Sequence, residues 1–142
     1  MTIPQTEIEK LENKINQIKK NGCCAFSTIW ALGLDNMSNE EAWKKLIMAI
    51  DTKSLDSDCT VNWKPFAKFL TDEDYDVEMI DLQNQTMDEL KAYEGRIIVR
   101  FDNGLNYHWV GVENGKVAFN SLEKSYCVMY GRPTKVRVLK KV

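Results

Sequence analysis

The chain has 142 residues, of which 44% are hydrophobic and 28% charged, and its formal net charge is −2. These values are typical of one globular domain with its own core, so we expect a single domain over residues 1–142. The 19 basic and 21 acidic residues are interspersed, which argues against nucleic acid as a partner. Neither a signal peptide nor a membrane span is recognisable, so we expect a cytoplasmic protein with no membrane partner.

Helices are predicted throughout the first half of the chain, from periodic apolar residues and capping patterns. The first predicted helix covers residues 6–19 and the second runs from residue 23 to about 32. A third begins at the SNEE capping box (38–41), and a fourth covers residues from about 62 to 70. Asn21-Gly22 is expected to end the first helix, with Gly22 in the left-handed backbone conformation. The second helix is nearly uncharged, which predicts that it is central and buried.

The second half of the sequence changes to strand-forming segments. The predicted strands are residues 77–80, 96–101, 107–112, 116–120, 126–130 and 136–142, with one helix opened by the TMDE capping box at 86–89 and running to about residue 93. Asn114-Gly115 is a strong two-residue turn signal, so the third and fourth strands should form a hairpin. Because helices come first and strands afterwards, the sequence predicts an α+β fold with an antiparallel sheet.

Cys23 has the sequence context of a reactive thiol. It follows Gly22 and falls in the first turn of the predicted central helix, where backbone amides and the helix dipole favour a negative charge. The thiolate is the nucleophilic form of cysteine, and such a position lowers the thiol pKa from about 8.5. We therefore expect a nucleophile with a lowered pKa. The alternative is a buried packing residue, which is common for cysteine.

His108 is the one histidine of the chain and so the one candidate for an imidazole base. It opens one strand of the predicted hairpin and Asn120 closes the other, so the two should meet at one edge of the sheet. An amide oxygen from Asn120 would hold the imidazole in one tautomer, as in a catalytic triad. The alternatives are an ordinary strand histidine and a strand-end turn residue.

Gln17 is the fourth candidate for the site. It lies six residues before Cys23, near the end of the first predicted helix. Its side-chain amide and the backbone N–H of Cys23 could together stabilise the oxyanion that forms at an attacked carbonyl. The alternative is a solvated helix residue with no part in chemistry.

Three of these segments resemble the papain-like cysteine peptidases. GCCAFS at 22–27 is similar to the GSCWAFS stretch of that superfamily, which matches Cys23 to the nucleophile, and Gln17 stands where the oxyanion glutamine typically lies. HWVGVENGKVAFNS at 108–121 is similar to the family's histidine hairpin. Residues 86–120 more closely resemble the bacterial branch that contains the bacteriocin-processing, double-glycine peptidases. That branch usually has Cys-Gly-Pro where this chain has Cys-Cys-Ala.

The resemblance implies a papain-like fold in which a helical half carries Cys23 and a sheet half carries His108 and Asn120. It implies a thiol hydrolase that cleaves a peptide, amide or isopeptide bond of a peptide or protein substrate, with Gln17 at the oxyanion. No cofactor is expected. Two alternatives stay open: a peptide-binding module of effector or phage type with weak or no hydrolysis, and an acyl transferase acting at the same site.

The remaining cysteines, Cys24, Cys59 and Cys127, are expected to be packing residues. A cytosolic chain of this length neither needs nor keeps disulfides, so all four cysteines should be thiols. Structural zinc sites usually show paired ligands such as C-x₂-C, and the cysteine spacing here has no such pair. We therefore expect no metal ligand among them.

Overall fold

The computed structural model describes residues 5–122 and 125–142, with Tyr126 described by its backbone alone. The helices are α1 (Gln5–Asn21), α2 (Cys23–Ala31), α3 (Asn39–Asp51), α4 (Trp63–Thr71) and α5 (Tyr126–Tyr130), with a 3₁₀ helix at Met87–Ala92. The strands are β1 (Tyr75–Asp81), β2 (Arg96–Asp102), β3 (Tyr107–Glu113), β4 (Lys116–Phe119) and β5 (Arg132–Lys141). This is the predicted α+β architecture. Within the described ranges, no helix combines the length and apolar character that crossing a membrane requires.

The helical half is built around α2. Its sequence carries no charge, and six of its nine residues are buried, which confirms the predicted central position. Ala25 and Ile29 of α2 share one hydrophobic cluster with Leu46 of α3 and Phe66 of α4. Removing this apolar surface from water stabilises the cluster by roughly 25 cal/mol for each Å² buried. The helix that begins with Cys23 is therefore held firmly from several sides.

Both predicted capping patterns are present. The Ser38 side chain accepts a hydrogen bond of 3.1 Å from the Glu41 backbone N–H at the start of α3. Thr86 and Glu89 form the reciprocal capping box, in which Glu89 Oε1 accepts from the Thr86 N–H at 3.1 Å. The helix that follows Thr86 is 3₁₀ rather than α-helical. It has only six residues between β1 and β2, and short connectors commonly take this tighter form.

The sheet has the strand order β1-β5-β2-β3-β4, and each described pair of strands is antiparallel. The predicted hairpin is confirmed. Asn114 and Gly115 connect β3 to β4 with φ angles of +55° and +76°, the left-handed values that a two-residue hairpin turn requires. The hairpin brings the start of β3 and the end of β4 to the same edge of the sheet.

The helical half docks on the sheet through α2 and β3. Gly111 lies against the Trp30 ring so closely that an added Cβ would be 2.3 Å from a ring carbon. Arg96 donates to the Trp30 carbonyl at 2.8 Å, and its guanidinium lies 4.7 Å from that ring's centre. Ser27 Oγ donates to the Trp109 carbonyl at 3.3 Å. These contacts set the position of α2, and so of Cys23, relative to β3.

The predicted strand at residues 126–130 is wrong, because these residues form the helix α5. β4 lies at an edge of the sheet, whereas β5 lies between β1 and β2. The chain must therefore cross the sheet before it can enter β5. α5 lies in this crossover, and its Cys127 is buried in one cluster with Val99 and Phe101 of β2. Topology overrides the strand propensity of the segment.

Gly22 separates α1 from α2 for a different reason from the one predicted. Its φ of −80° and ψ of −3° are right-handed helical values, not left-handed ones. The Gly22 N–H still bonds to the Ile18 carbonyl at 2.9 Å, and the Phe26 N–H bonds to the Gly22 carbonyl at 3.0 Å. An added Cβ would lie 2.4 Å from the Ile18 carbonyl oxygen. Glycine is required here by close backbone approach rather than by an unusual φ.

Candidate active site

Cys23 is the first residue of α2, and its half-buried side chain borders two cavities. The first, which we call the arginine cavity, has a volume of about 610 Å³ and is lined in part by Trp63, Arg100, Trp109 and Arg137. The second, the histidine cavity, has a volume of about 450 Å³ and is lined in part by Phe26, Trp43, His108 and Cys127. Both are also lined by Lys20, Cys23, Asn106 and Tyr107. Cys23 therefore lies where the two cavities meet.

The hairpin brings His108 and Asn120 together. His108 is the second residue of β3 and only 4% exposed, while Asn120 directly follows β4. The distance from His108 Nε2 to Asn120 Oδ1 is 2.7 Å. Asn120 Oδ1 also accepts a hydrogen bond of 3.0 Å from the Leu122 backbone N–H. Asn120 is thus both the partner of the imidazole and a turn residue at the end of β4.

These two hydrogen bonds assign the tautomer of His108. A backbone N–H can only donate, so the Asn120 atom that faces Leu122 must be the amide oxygen. The same oxygen faces His108 Nε2, so Nε2 carries the proton and donates it. The other ring nitrogen, Nδ1, then has the free lone pair. The arrangement leaves His108 with one basic nitrogen that Asn120 does not occupy.

Desolvation controls the charge of both groups. Burial raises the pKa of the Cys23 thiol, and the backbone amides of Trp109, Cys24 and Cys23 itself offset only part of this effect. Burial likewise lowers the pKa of His108, against the opposing effect of the Asn120 hydrogen bond. The expected lowering of the Cys23 pKa is therefore wrong for this structure. The amides act in the predicted direction, but loss of water around the thiol outweighs them.

The Cys23 thiol and the His108 imidazole share a cavity wall. Among the described residues, no hydrogen bond joins Cys23 to His108. Both line the histidine cavity, and both favour their neutral forms. The described site therefore holds a thiol and an imidazole on one cavity wall, not a thiolate–imidazolium ion pair.

Gln17 is not among the described residues that line either cavity. Its side-chain oxygen accepts a hydrogen bond of 3.0 Å from Asn21 Nδ2, and Asn21 itself lines the arginine cavity. Because α1 continues through Asn21, Gln17 lies about one helical turn behind it. Asn21 is a cavity-lining residue that sequence reasoning missed, since its one sequence signal, the Asn-Gly dipeptide, indicates a helix stop.

Sequence reasoning also missed Arg100 and Arg137. Arg100 faces Trp109 across the β2–β3 pair, and the Arg137 guanidinium lies 5.4 Å from the centre of the Trp109 ring. Strand alternation in RIIVRF could have shown that Arg100 shares a face with Ile98. Only the pairing of β2 with β5, which sets Ile98 opposite Arg137, shows that the two arginines lie on one face.

The other cysteines are buried, and all four cysteines are free thiols. Burial raises the pKa of Cys59 to about 11 and raises that of Cys24 well above its ordinary value. Both are therefore protonated at neutral pH and poor nucleophiles. In the described part of the chain, no group of three or more His, Cys, Asp or Glu side chains could hold a metal ion.

No family model, curated protein or solved structure matches this chain. The interpretation of the site consequently depends on the sequence motifs and on the arrangement of Cys23, His108 and Asn120. It depends equally on the two cavities that meet at the thiol, since these determine what can reach it.

Proposed function

We propose that the chain is a papain-like thiol hydrolase that cleaves a peptide, amide or isopeptide bond through Cys23, His108 and Asn120. The observation that carries the proposal is the 2.7 Å hydrogen bond between His108 and Asn120 on the wall of a cavity that His108 shares with Cys23. An ordinary strand histidine needs neither a partner that selects its tautomer nor a thiol in the same cavity. A nucleophile, a base and a residue that orients the base are the parts that covalent acyl transfer requires.

The shape around Cys23 supports an extended substrate. The two cavities share part of their lining at the thiol, so a peptide that runs from one into the other passes directly over Cys23. Residues on both sides of the cleaved bond would then be bound. Such binding holds the carbonyl carbon close to the sulfur, and well-oriented reactants react far faster than free ones.

In the acylation step, His108 Nδ1 takes the proton from the Cys23 thiol as the sulfur attacks the carbonyl carbon. The carbonyl oxygen gains the negative charge, and its proposed donors are the backbone N–H of Cys23, at the start of α2, and the side-chain amide of Asn21, which lines the arginine cavity and also donates to Gln17. The tetrahedral intermediate collapses, the C–N bond breaks, and the imidazolium gives its proton to the leaving amine. A thioester on Cys23 remains.

In the deacylation step, water replaces the amine. The water oxygen attacks the thioester carbonyl while His108 Nδ1 removes one of the water protons. The imidazolium then gives this proton to the departing sulfur. The products are the free acid and the neutral thiol. Asn120 holds the ring in the Nε2–H tautomer throughout both steps, so the basic nitrogen is always the one that Asn120 does not occupy.

The pKa directions favour general-base catalysis over a preformed ion pair. A raised pKa for Cys23 and a lowered pKa for His108 both favour the neutral pair before substrate binds. Proton transfer from sulfur to nitrogen then accompanies the attack. On this mechanism the pH dependence of the reaction follows deprotonation of His108, and burial of the ring moves that deprotonation to a lower pH than in a free imidazole.

The same observations also favour a second candidate, a peptide-binding module. A thiol with a raised pKa and no hydrogen bond to the imidazole is a weak nucleophile, and the two cavities could hold a peptide without cleaving it. The two candidates differ in one observable: a hydrolase cleaves the bound peptide and needs Cys23 and His108 to do so, whereas a binding module leaves the peptide intact.

The deciding experiment exposes the chain to a complex mixture of peptides in ¹⁸O-labelled water. We expect new carboxyl termini that carry ¹⁸O, identified by mass spectrometry, and their loss in Cys23→Ala and in His108→Gln. New amide bonds without ¹⁸O would indicate acyl transfer instead. If native chain and both variants retain the same peptides uncleaved, the binding module is correct and hydrolysis is excluded.

A further inference from the structure

The arginine cavity carries an excess of positive charge beside Cys23. Lys20, Arg100 and Arg137 line it, with Asp58 as the acidic residue among its described lining residues. Arg100 is compensated by Asp102, whose carboxylate accepts hydrogen bonds of 2.9 to 3.3 Å from the guanidinium. Counting Asp58 and Asp102 against the three cations leaves an excess of one positive charge, and among the three cations Arg137 is a half-buried guanidinium without a carboxylate partner in the described part of the chain.

Arg137 lacks an anionic partner among the described residues. Its Nη1 donates to a backbone carbonyl, that of Val136, at 3.1 Å. Its Nε is buried and has no hydrogen-bond partner in the described part of the chain. The charge of Asp81 acts on Arg137, but the Asp81 carboxylate accepts its hydrogen bond from Lys135 at 3.0 Å. A half-buried guanidinium that is not paired is destabilised by lost hydration, and an incoming anion would relieve this.

Two aromatic rings lie close to the guanidinium groups and limit their movement. Arg137 lies 5.4 Å from the Trp109 ring centre, and Arg100 lies 4.0 Å from that of Tyr107. Trp109 is itself packed edge-on against Trp63, with ring centres 6.3 Å apart. A fixed guanidinium loses little freedom when it binds, and its planar array of donors matches the two oxygens of a carboxylate.

We propose that the arginine cavity is a specificity subsite for a carboxylate side chain, so that the peptide bound across Cys23 carries an aspartate or glutamate on that side of the reacting bond. This inference rests on the proposed function in placing the peptide across Cys23. Arg137 is its principal determinant, since it is a half-buried guanidinium without a carboxylate partner among the described residues. Lys20, which is exposed at the junction of the two cavities, adds attraction at the entrance.

The test uses matched peptidyl chloromethyl ketones, which alkylate a thiol without any need for hydrolysis. Each pair differs in one residue, Glu against Gln, placed one, two or three residues from the reactive carbon. The measured quantity is the ratio of Cys23 alkylation rates, Glu over Gln, with the modified residue identified by peptide mapping. Because both probes meet the same thiol, the ratio cancels any change in the pKa of Cys23.

We expect the native chain to prefer the Glu probe by roughly tenfold or more at one of the three positions, as a charge-assisted hydrogen bond would give. High salt should reduce the preference. Arg137→Gln should abolish it and Arg137→Lys should retain part of it. Arg132→Gln is the matched control, because Arg132 is an exposed residue of the same strand and is not among the described lining residues of either cavity.

A second variant, Lys20→Gln, is used if Arg137→Gln does not fold. An exposed lysine can be removed without disturbing the core, and we expect this substitution to lower the preference for the Glu probe several-fold. Equal rates for Glu and Gln at every position in the native chain would overturn the proposal. So would a preference that survives in Arg137→Gln or, where only Lys20→Gln folds, a preference that is undiminished in that variant. Labelling of Cys23 with a clear Glu preference, but no cleavage of any peptide, would instead refute hydrolysis and leave the subsite standing.

Discussion

β3 presents two different surfaces, and their comparison explains how the candidate site is assembled. On one face, which we call the aliphatic face, His108 is followed by Val110 and Val112, which belong to the same hydrophobic cluster as Cys127 of α5. On the other face, Trp109 and Gly111 contact the helical half and the arginine cavity. Consecutive residues of one strand therefore have separate roles. The aliphatic face buries the candidate base, His108, whereas the aromatic face positions the helix that carries the Cys23 thiol.

The comparison also explains the direction of the pKa shifts. His108 is set in an apolar face with Asn120 as its described polar partner, so burial dominates and the neutral ring is favoured. Cys23 receives backbone amides from both α2 and β3, yet it too is governed by desolvation. The two halves of the molecule thus bring the Cys23 thiol and the His108 imidazole, both favoured in their neutral forms, to the boundary between them.

The largest expected effect comes from removing the base on the aliphatic face. His108→Gln should lower kcat/KM on a cleaved peptide by about 10² to 10⁴, the usual contribution of general acid–base catalysis. The Glu-over-Gln labelling preference should stay unchanged, because it arises on the other face. The measurement is steady-state kinetics, with circular dichroism as the control for folding. Retained activity would show that His108 is not the base.

The second effect breaks the contact between the aromatic face and α2. In Gly111→Ala the new Cβ meets the Trp30 ring, and overpacking of this kind destabilises a fold by roughly 1–3 kcal/mol. Urea unfolding of the native chain and the variant measures the change. Combining the substitution with Trp30→Phe should cost less than the sum of the two single changes, because the smaller ring relieves the clash. Strict additivity would show that the contact is not the cause.

A smaller effect is expected from Asn120, which acts on His108 through one hydrogen bond. Since the chain has one histidine, a single imidazole signal in NMR reports its pKa. We expect a pKa below 6.5 in the native chain. Asn120→Ala should lower it further, because the lost hydrogen bond acts to raise it. Asn36→Ala, at an exposed position, should leave it unchanged, and a rise in Asn120→Ala would contradict the assigned partner.

The same lowered pKa predicts a pH dependence of stability. The folded pKa of His108 lies below its unfolded value of about 6.5, so the neutral buried ring contributes fully above that pH. Its contribution is lost as the pH falls from there through the folded pKa. The difference in urea stability between the native chain and His108→Gln should therefore become less favourable to the native chain below pH 6.5. A constant difference across this range would contradict the shift.

The smallest effect is the order in which the thiols react. Cys23 is the half-buried thiol, while Cys24, Cys59 and Cys127 are buried. A limiting amount of iodoacetamide should label Cys23 first, and Cys59, with a pKa of about 11, should react only after unfolding. Peptide mapping gives the order. First labelling of Cys24 would place the neighbouring thiol at the junction of the cavities instead.

Local sequence patterns were sufficient for much of the architecture. The uncharged run after Cys23 predicted a buried helix, since a helix without a polar side has no face for solvent. Asn114-Gly115 predicted the hairpin because few other pairs adopt two left-handed residues in succession. That hairpin was enough to predict that His108 and Asn120 meet at one edge of the sheet.

Long-range arrangement decided the rest. Whether residues 126–130 form a strand depends on where β5 enters the sheet, and no local pattern records that. The arginine cavity exists because β2 and β5 are neighbours, which places Arg100 and Arg137 on one face. The pKa direction of Cys23 depends on how much water the sheet excludes, whereas the sequence shows only the helix start. Propensity and periodicity act over a few residues, but burial and charge neighbours are properties of the assembled fold.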